Sequence, residues 1–231
     1  VPIGEFRFDC RVVGYEGNSI KTTNGLFSAD HVYNCAGLYA DKVAHLFDAG
    51  REYTLLPFKG VYRKCIGDNP VNRHIYPVPN LANPFLGVHF TQTVKCESKI
   101  GPTAIPAFWR EHYDGLSGFD LVEFAQVSLC ELDLLIRNSF GFRSLALQEI
   151  VKYRASALEK DAGNMLNKFT SKTKAMPAGI RAQLLNIKTR ELIMDFVVER
   201  QPGVTHVLNA ISPAWTCAFP FAEHVVSMGD N

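Results

Sequence analysis

The sequence predicts an α+β protein in which an antiparallel sheet and two helices interrupt a strand–turn–helix framework. Three observations predict it. A β-rich run enters a helix through a glycine turn at residues 31–50. Short β-like runs split by Pro, Gly and Asn fill residues 52–102. Two long apolar helical patterns follow, and a second strand–turn–helix pattern closes the chain.

The elements follow in order. Residues 5–13 (EFRFDCRVV) partly alternate apolar and polar, as a half-buried strand does. GYEGN reads as a turn, and SIKTTNGLFSAD as a hairpin with Asn24-Gly25 at its tip. HVYNC is a short strand that passes through Ala36 and Gly37 into a helix, with Tyr39, Val43, Leu46 and Phe47 on one face. LLPFKGVYRKCI, RHIYPVP, FLGVHFTQTV and SKIGPTAI are antiparallel strands, and FWREHYDGLSG is a loop or short helix. Residues 118–138 and 143–168 read as two helices, the first so apolar that it needs burial or a partner. KTKAMPAGIRAQ reads as loop, ELIMDFVVER and THVLNAI as strands, and AFPFAEHVVSM as the start of a final helix.

Composition narrows the function. Of 231 residues, 47% are hydrophobic and 20% charged, enough to bury a core. The formal net charge is +1 with no basic stripe, so nucleic-acid binding is not expected. Cysteines at positions 10, 35, 65, 96, 130 and 217 form no CxxC pair, so neither a zinc site nor a disulfide framework is expected. Their spread suits a reducing, cytoplasmic compartment. No apolar run is long enough for a transmembrane segment, and the N-terminus is no signal peptide. The chain lacks an initiator Met and opens in a strand-like run, so it is expected to begin inside a larger protein.

Four stretches carry candidate chemistry. In YNCAG (33–37), Gly37 lets a ligand approach the backbone at a helix start, although an ordinary strand–helix turn accounts for it equally. In PAGIRAQ (177–183), Arg181 lies between Ile180 and Ala182. Its planar fork suits a bound carboxylate and suits a structural ion pair as well. In NAISPAWT (209–216), a strand ends in Ser-Pro before a helix, an arrangement for a ligand or for plain N-capping. In FLGVHFT (85–91), His89 is a hydrogen-bonded core residue or a base facing a cleft.

Taken together and in order, NCAGLYADKVA (34–44), LPFKGVYRK (56–64), IYPVPN (75–80), PFLGVHFT (84–91), IGPTAIPAFWREHY (100–113), PAGIRAQ (177–183), HVLNAISPAWT (206–216) and FPFAEHVV (219–226) span nearly the whole chain. This set resembles the FAD-dependent oxidoreductases of the D-amino-acid-oxidase-like superfamily, and within it the L-2-hydroxyglutarate dehydrogenase/oxidase branch. The resemblance implies a partial FAD/NAD(P)-binding-like domain with an inserted antiparallel-sheet substrate domain and helices. Residues 1–50 and 201–231 would belong to the flavin domain and 51–200 to the substrate domain. The substrate, a small-molecule 2-hydroxy acid, would lie between the flavin ring and the antiparallel sheet.

Residue by residue, the resemblance puts Val12 at the adenine end of FAD, with Ala36 and Gly37 near the cofactor. It puts Ser212, Pro213 and Thr216 at a turn approaching the flavin. Arg181 would hold the substrate carboxylate, His89 would be the base, and Lys59 and Tyr62 would line the substrate side. The family usually has Arg where Lys59 stands and Glu where Val61 stands, and Lys59 keeps the charge without the fork. The family's opening strand–GxGxxG–helix has no counterpart here. The chain therefore corresponds to the C-terminal portion of such an enzyme. FAD binding by it alone is expected to be weak or absent, and a partner or oligomer is expected to cover the missing flavin half-domain. The resemblance implies that the intact protein oxidises an L-2-hydroxy acid, L-2-hydroxyglutarate-like, to the 2-oxo acid by hydride transfer to FAD; the alternatives are a truncated, non-catalytic fragment or substrate-domain module unable to bind FAD alone, and an amino-acid or glycerol-3-phosphate oxidase of the same superfamily. Its place would be the cytoplasm or the periphery of the inner membrane, mitochondrial in a eukaryote.

Overall fold

The computed structural model describes residues 4–16, 19–67, 69–78, 87–166, 169–211 and 214–228. In chain order the strands are β1 (Val12–Glu16), β2 (Ser19–Thr22), β3 (Gly25–Ser28), β4 (Val32–Asn34), β5 (Tyr53–Gly60), β6 (Arg63–Ile66), β7 (His89–Gln92), β8 (Ser98–Gly101), β9 (Ile105–Pro106), β10 (Lys172–Ala175), β11 (Gly179–Asn186), β12 (Val197–Gln201) and β13 (Val204–Asn209). The helices are α1 (Ala40–Leu46), α2 (Leu121–Arg137), α3 (Phe142–Val151), α4 (Ala155–Met165) and α5 (Ala218–Ser227). The chain divides into two compact units. One is Val1–Leu55 with Leu184–Lys188 and Ile193–Asn231; the other is Leu56–Gln183 with Thr189–Leu192.

In the first unit, β1, β2 and β3 form an antiparallel meander. Its second sheet has the order β12-β13-β4, with β13 and β4 parallel. All six residues of β13 are buried, as the central strand of a covered sheet requires. Helix α1 packs against β13 through Ala40, Ala44 and the neighbouring Phe47, whose ring stacks on Tyr15 at 4.1 Å. Small residues on that face let the helix backbone come close to the strand. Asp41 lies on the same helix and is fully buried. One of its oxygens accepts from Lys42 N–H at 2.8 Å. The other accepts from Leu55 N–H at 2.9 Å and Thr54 Oγ1 at 3.3 Å. A single carboxylate thus ties the first turn of the helix to the start of β5.

The second unit contains a four-stranded antiparallel sheet of order β10-β6-β8-β7. Its core is Cys65, Val71, Val88, Phe90 and Ile100, closed by Leu158 and Ala162 of α4. In a further sheet, of order β11-β5-β9, β5 and β9 run antiparallel. Six consecutive residues of β5, from Leu55 to Gly60, are buried. Glu149 of α3 accepts a hydrogen bond from Ala104 N–H at 2.7 Å and pairs with Lys152 at 2.5 Å. Asp120 caps α2 by accepting from Glu123 N–H at 2.8 Å, and Asn138 ends the helix in the left-handed conformation.

Several expectations change. Regular pairing starts at Val12 rather than at residue 5, because Phe6 and Phe8 are exposed and outside the strand. Residues 14–16 belong to the strand rather than to a turn. The hairpin turns at Thr23 and Asn24, and Gly25 already pairs with Thr22. On α1 the buried face is Ala40, Asp41 and Ala44, whereas Leu46 is exposed. The expected second long helix divides at residues 152–154, so that α3 meets β9 and α4 meets β8. The segment read as loop around Arg181 is two strands, β10 paired with β6 and β11 beside β5. Helix α2 buries Glu123, Val127, Glu131 and Leu134 and leaves Leu121, Val122, Leu129, Leu132 and Ile136 exposed.

Two predictions follow from this burial. Burial pushes the Glu131 carboxyl up to about 8, and its Oε1 has no hydrogen-bond partner among the described residues. The folded state therefore holds a proton that the unfolded chain releases near the ordinary carboxyl range. The stabilisation is complete below about pH 4.5 and is lost as pH rises through about 8. Urea unfolding between pH 5 and 9 is expected to show stability falling with pH in the parent and a flatter profile in Glu131→Gln. Replacement of Asp41 by Ala removes the acceptor of three donors and is expected to lower stability by about 3 kcal/mol in the same assay.

Candidate functional site

Four polar aromatic and basic side chains of the second unit are linked in sequence: Arg181, Tyr62, Tyr76 and His89. Arg181 is on β11, half-buried, and its charge is felt by the Tyr62 phenol and the Glu149 carboxylate. Burial lowers the guanidinium from its ordinary value, and both neighbours oppose that shift. Tyr62 lies in the short link between β5 and β6. Burial raises its phenol, the nearby Arg181 cation lowers it, and Tyr76 raises it. Tyr76 in turn packs on His89, with ring centroids 4.6 Å apart. His89, the first residue of β7, is half-buried. Arg181 is thus linked to His89 in steps: electrostatically to Tyr62, electrostatically from Tyr62 to Tyr76, and by ring packing from Tyr76 to His89.

The proton on His89 has an assigned place. Nδ1 lies 3.1 Å from the Gly87 carbonyl oxygen. A carbonyl only accepts, so Nδ1 carries the hydrogen and the neutral ring has its lone pair on Nε2.

Tyr62 is set in place by a close backbone pass. Thr103 is buried, and its hydroxyl accepts from Val61 N–H at 2.9 Å and donates to the Lys59 carbonyl at 3.0 Å. Gly101, paired across the sheet with His89, has φ +129°. A Cβ there would stand 2.6 Å from the Val61 carbonyl oxygen and 3.0 Å from Tyr62 Cδ1. Only glycine fits, and the ring of Tyr62 passes directly over it. Lys99 lies above the same ring at 4.3 Å.

Lys59 has other neighbours. Its side chain is only 8% exposed, and its ammonium has no hydrogen-bond or ion-pair partner among the described residues. Burial lowers its pKa, and Asp114 opposes this. His112 feels the Lys59 charge and stacks on Trp109 at 3.7 Å. Lys59 and Tyr62, read together in the sequence, thus have different electrostatic surroundings.

In the first unit the expected cofactor residues lie as follows. Val12 opens β1 and pairs with Thr22. Ala36 and Gly37 form the exposed turn after β4. Gly37 has φ +54°, and no atom stands within 4 Å of where a Cβ would be. The turn is shaped by Asn34, which the sequence did not single out. Its Oδ1 accepts from Ala36 N–H at 3.2 Å, and its Nδ2 donates to the Ala40 carbonyl at 2.8 Å and to His206 Nδ1 at 3.0 Å. Open space beside a glycine at the carboxyl end of a parallel strand suits a cofactor's approach. Thr216 is exposed in the turn before α5, where Cys217 rather than Thr216 occupies the N-cap, without a side-chain bond. Ser212 and Pro213 lie outside the described residues.

No group of three or more His, Cys, Asp or Glu suited to a metal ion occurs among the described residues. The residues missed by sequence reasoning are Tyr76, Gly101, Thr103 and Asn34. Each sits inside a stretch that carried signal, but its role depends on a partner distant in sequence.

Residues 3–228 match the family described as FAD dependent oxidoreductase. The chain is 30% identical over 240 residues to the L-2-hydroxyglutarate dehydrogenase of Escherichia coli (strain K12), covering 97% of this chain and 54% of that protein. It is 33% identical over 217 residues to the mitochondrial L-2-hydroxyglutarate dehydrogenase of Caenorhabditis elegans, covering 89% and 48%. The chain thus spans about half the length of the curated relatives it matches. Among solved structures, L-alpha-glycerophosphate oxidase from Mycoplasma pneumoniae with FAD bound matches with a TM-score of 0.53 at 16% identity, over 94% of this chain and 49% of that one. That likeness is one of fold.

Gly101→Ala is expected to displace Tyr62 and to lower stability by about 2 kcal/mol, measured by denaturant unfolding. NMR spectra are expected to show the Tyr62 resonances shifted in Gly101→Ala but unmoved in Gly67→Ala, at a left-handed glycine with nothing within 4 Å of its Cβ position.

Proposed function

This chain belongs to the FAD-dependent oxidoreductase family, and we propose that in the intact protein it supplies the substrate-binding and proton-accepting side chains for oxidation of an L-2-hydroxy acid to the 2-oxo acid. The observation carrying this reading is the single row that joins Arg181 to His89 through Tyr62 and Tyr76. Arg181 binds the carboxylate next to the reacting carbon, with the Tyr62 phenol beside it. His89 Nε2 accepts the hydroxyl proton, because its Nδ1 hydrogen is committed to Gly87. The unpartnered ammonium of Lys59 suits a second carboxylate, which makes an L-2-hydroxyglutarate-like dianion the favoured substrate. When bound, FAD supplies the acceptor for the hydride that leaves the same carbon. Val12, Ala36, Gly37 and Thr216, with Ser212 and Pro213, are the residues we assign to it. The names of the relatives, L-2-hydroxyglutarate dehydrogenases of bacteria and mitochondria, support the same substrate.

A companion reading comes from the residues themselves: they include no strand–GxGxxG–helix, so flavin binding by this chain alone would be weak and it would act as a substrate-side module. Flavin absorbance of the purified chain separates the two: a yellow protein contradicts the module, a colourless one supports it.

In the full-length, flavin-loaded enzyme, His89→Gln is expected to lower kcat about a hundred- to ten-thousand-fold and to remove the acid limb of the pH profile. Near-parent turnover with unchanged pH dependence would contradict the base role. Arg181→Lys keeps the charge without the fork and is expected to raise KM at least about tenfold, in steady-state assays with L-2-hydroxyglutarate.

A further inference from the structure

Three polar side chains stand in one row across the second sheet of the first unit. Glu199 of β12 pairs with His206 of β13, and His206 pairs with Asn34 of β4. Residues directly opposite on neighbouring strands project from the same face. Phe47 covers that face, its ring 5.2 Å from the imidazole and inclined by 67°. His206 is fully buried and Asn34 nearly so. Backbone groups fix which way the Asn34 amide points, since Ala36 N–H only donates and the Ala40 carbonyl only accepts. The second Nδ2 hydrogen is then left for His206 Nδ1, 3.0 Å away, which must accept. The ring is therefore neutral with its hydrogen on Nε2, and Nε2 has no hydrogen-bond partner among the described residues. A second proton would set N–H against N–H at Nδ1 and meet no acceptor at Nε2.

Without that acceptor a buried amide hydrogen of Asn34 loses its partner, and water reaches it only if the side chain swings out. The same side chain holds Ala36 N–H and the Ala40 carbonyl, on either side of Gly37. We infer that His206 is a positioning residue for the Ala36–Gly37 turn: as a neutral ring it locks the Asn34 amide, and the amide holds the turn. The consequence for the cofactor rests on the assignment of this turn to FAD, whereas the lock itself does not. Burial lowers the His206 pKa, and the Glu199 carboxylate across the strand pair opposes this. On α1, Asp41 accepts from Lys42, Leu55 and Thr54, Lys42 lies over the Tyr39 ring, and His45 Nε2 bonds with the Gly50 carbonyl. Tyr15 of β1 stacks on Phe47, and His31 meets Thr205, which points to the opposite face of the sheet. The folded chain thus binds fewer protons at His206 than the unfolded one. The lock is complete above the ordinary histidine value and is lost as pH falls through the lowered one.

The test uses the 231-residue chain labelled with 15N and reads amide-exchange protection factors by NMR. His206→Leu removes the acceptor, and His206→Asn, of similar size and branching, returns one beside Asn34. Protection of Ala36 N–H is expected to fall about tenfold or more in His206→Leu and to stay near the parent's in His206→Asn, with the amides of β12 and β13 protected in both. Unchanged Ala36 protection in His206→Leu overturns the inference, as does an equal loss in the two variants while the strand amides stay protected. The parent gives a measurement that needs no variant to fold. From about pH 8 down to about pH 5, Ala36 protection is expected to fall as the His206 ring nitrogens report protonation, before the strand amides open. Protection that persists through His206 protonation, or that is lost only together with the strands, overturns the inference. In the full-length, flavin-loaded enzyme, His206→Leu is expected to weaken FAD binding about tenfold or more, read by flavin fluorescence on dilution, and His206→Asn to restore it. If Ala36 protection responds as stated while FAD binding does not, the assignment of the turn to the cofactor fails and the lock stands.

Discussion

The pass of residues 60–62 across Gly101 and Thr103 is the constraint on which the candidate site depends. One buried hydroxyl, that of Thr103, closes the turn from β5 to β6 by bonding to backbone on both sides of Gly60. Each such bond contributes about 1 kcal/mol net, and removing the hydroxyl would leave a buried N–H and a buried carbonyl without partners. The geometry matters more than the energy. With the turn fixed, Tyr62 lies over Gly101 and reaches Arg181 and Tyr76, while Lys59, three residues earlier, is left to Asp114 and His112. A short link between two strands thereby distributes side chains to two chemical environments.

Two cations of the second unit, Arg181 and Lys59, are held differently. Arg181 is surrounded by groups that favour its charge, and Glu149, one of them, is itself anchored to Ala104 N–H and Lys152. For Lys59, burial lowers the pKa and Asp114 opposes the shift.

The first unit is shaped by two buried polar side chains, Asn34 and Asp41. Asn34 uses both ends of its amide to shape the turn at Ala36 and to set the tautomer of His206, whose Nδ1 must accept. Asp41, seven residues on, fixes the helix that follows. Both are polar residues inside a motif whose visible signal is its glycine. In α2 of the second unit several large apolar residues face outward, while the buried face carries Glu123, paired with the buried Arg110, and Glu131 beside Val127 and Leu134.

By itself, the sequence determined the class of fold, the order of its elements and the ordered set of motifs that marks the family. Periodicity and turn chemistry are local, so the hairpin after β1, helix α1, the antiparallel strands and the final helix were legible. Arg181 and His89 were legible as residue types in unusual settings. Only the tertiary structure decided that Arg181 belongs to a strand, that the second long helix divides to serve two sheets, and that Arg181 is linked to His89 in steps through Tyr62 and Tyr76. Those outcomes rest on pairings between residues far apart in the chain, His89 with Gly101, Lys59 with Thr103, Tyr62 with Arg181, and no local pattern carries information about them. The tautomer of His89 and the place of Tyr76 are decided in the same way, by the Gly87 carbonyl and the Ile75–Phe90 bridge, whose positions exist only once the strands have paired.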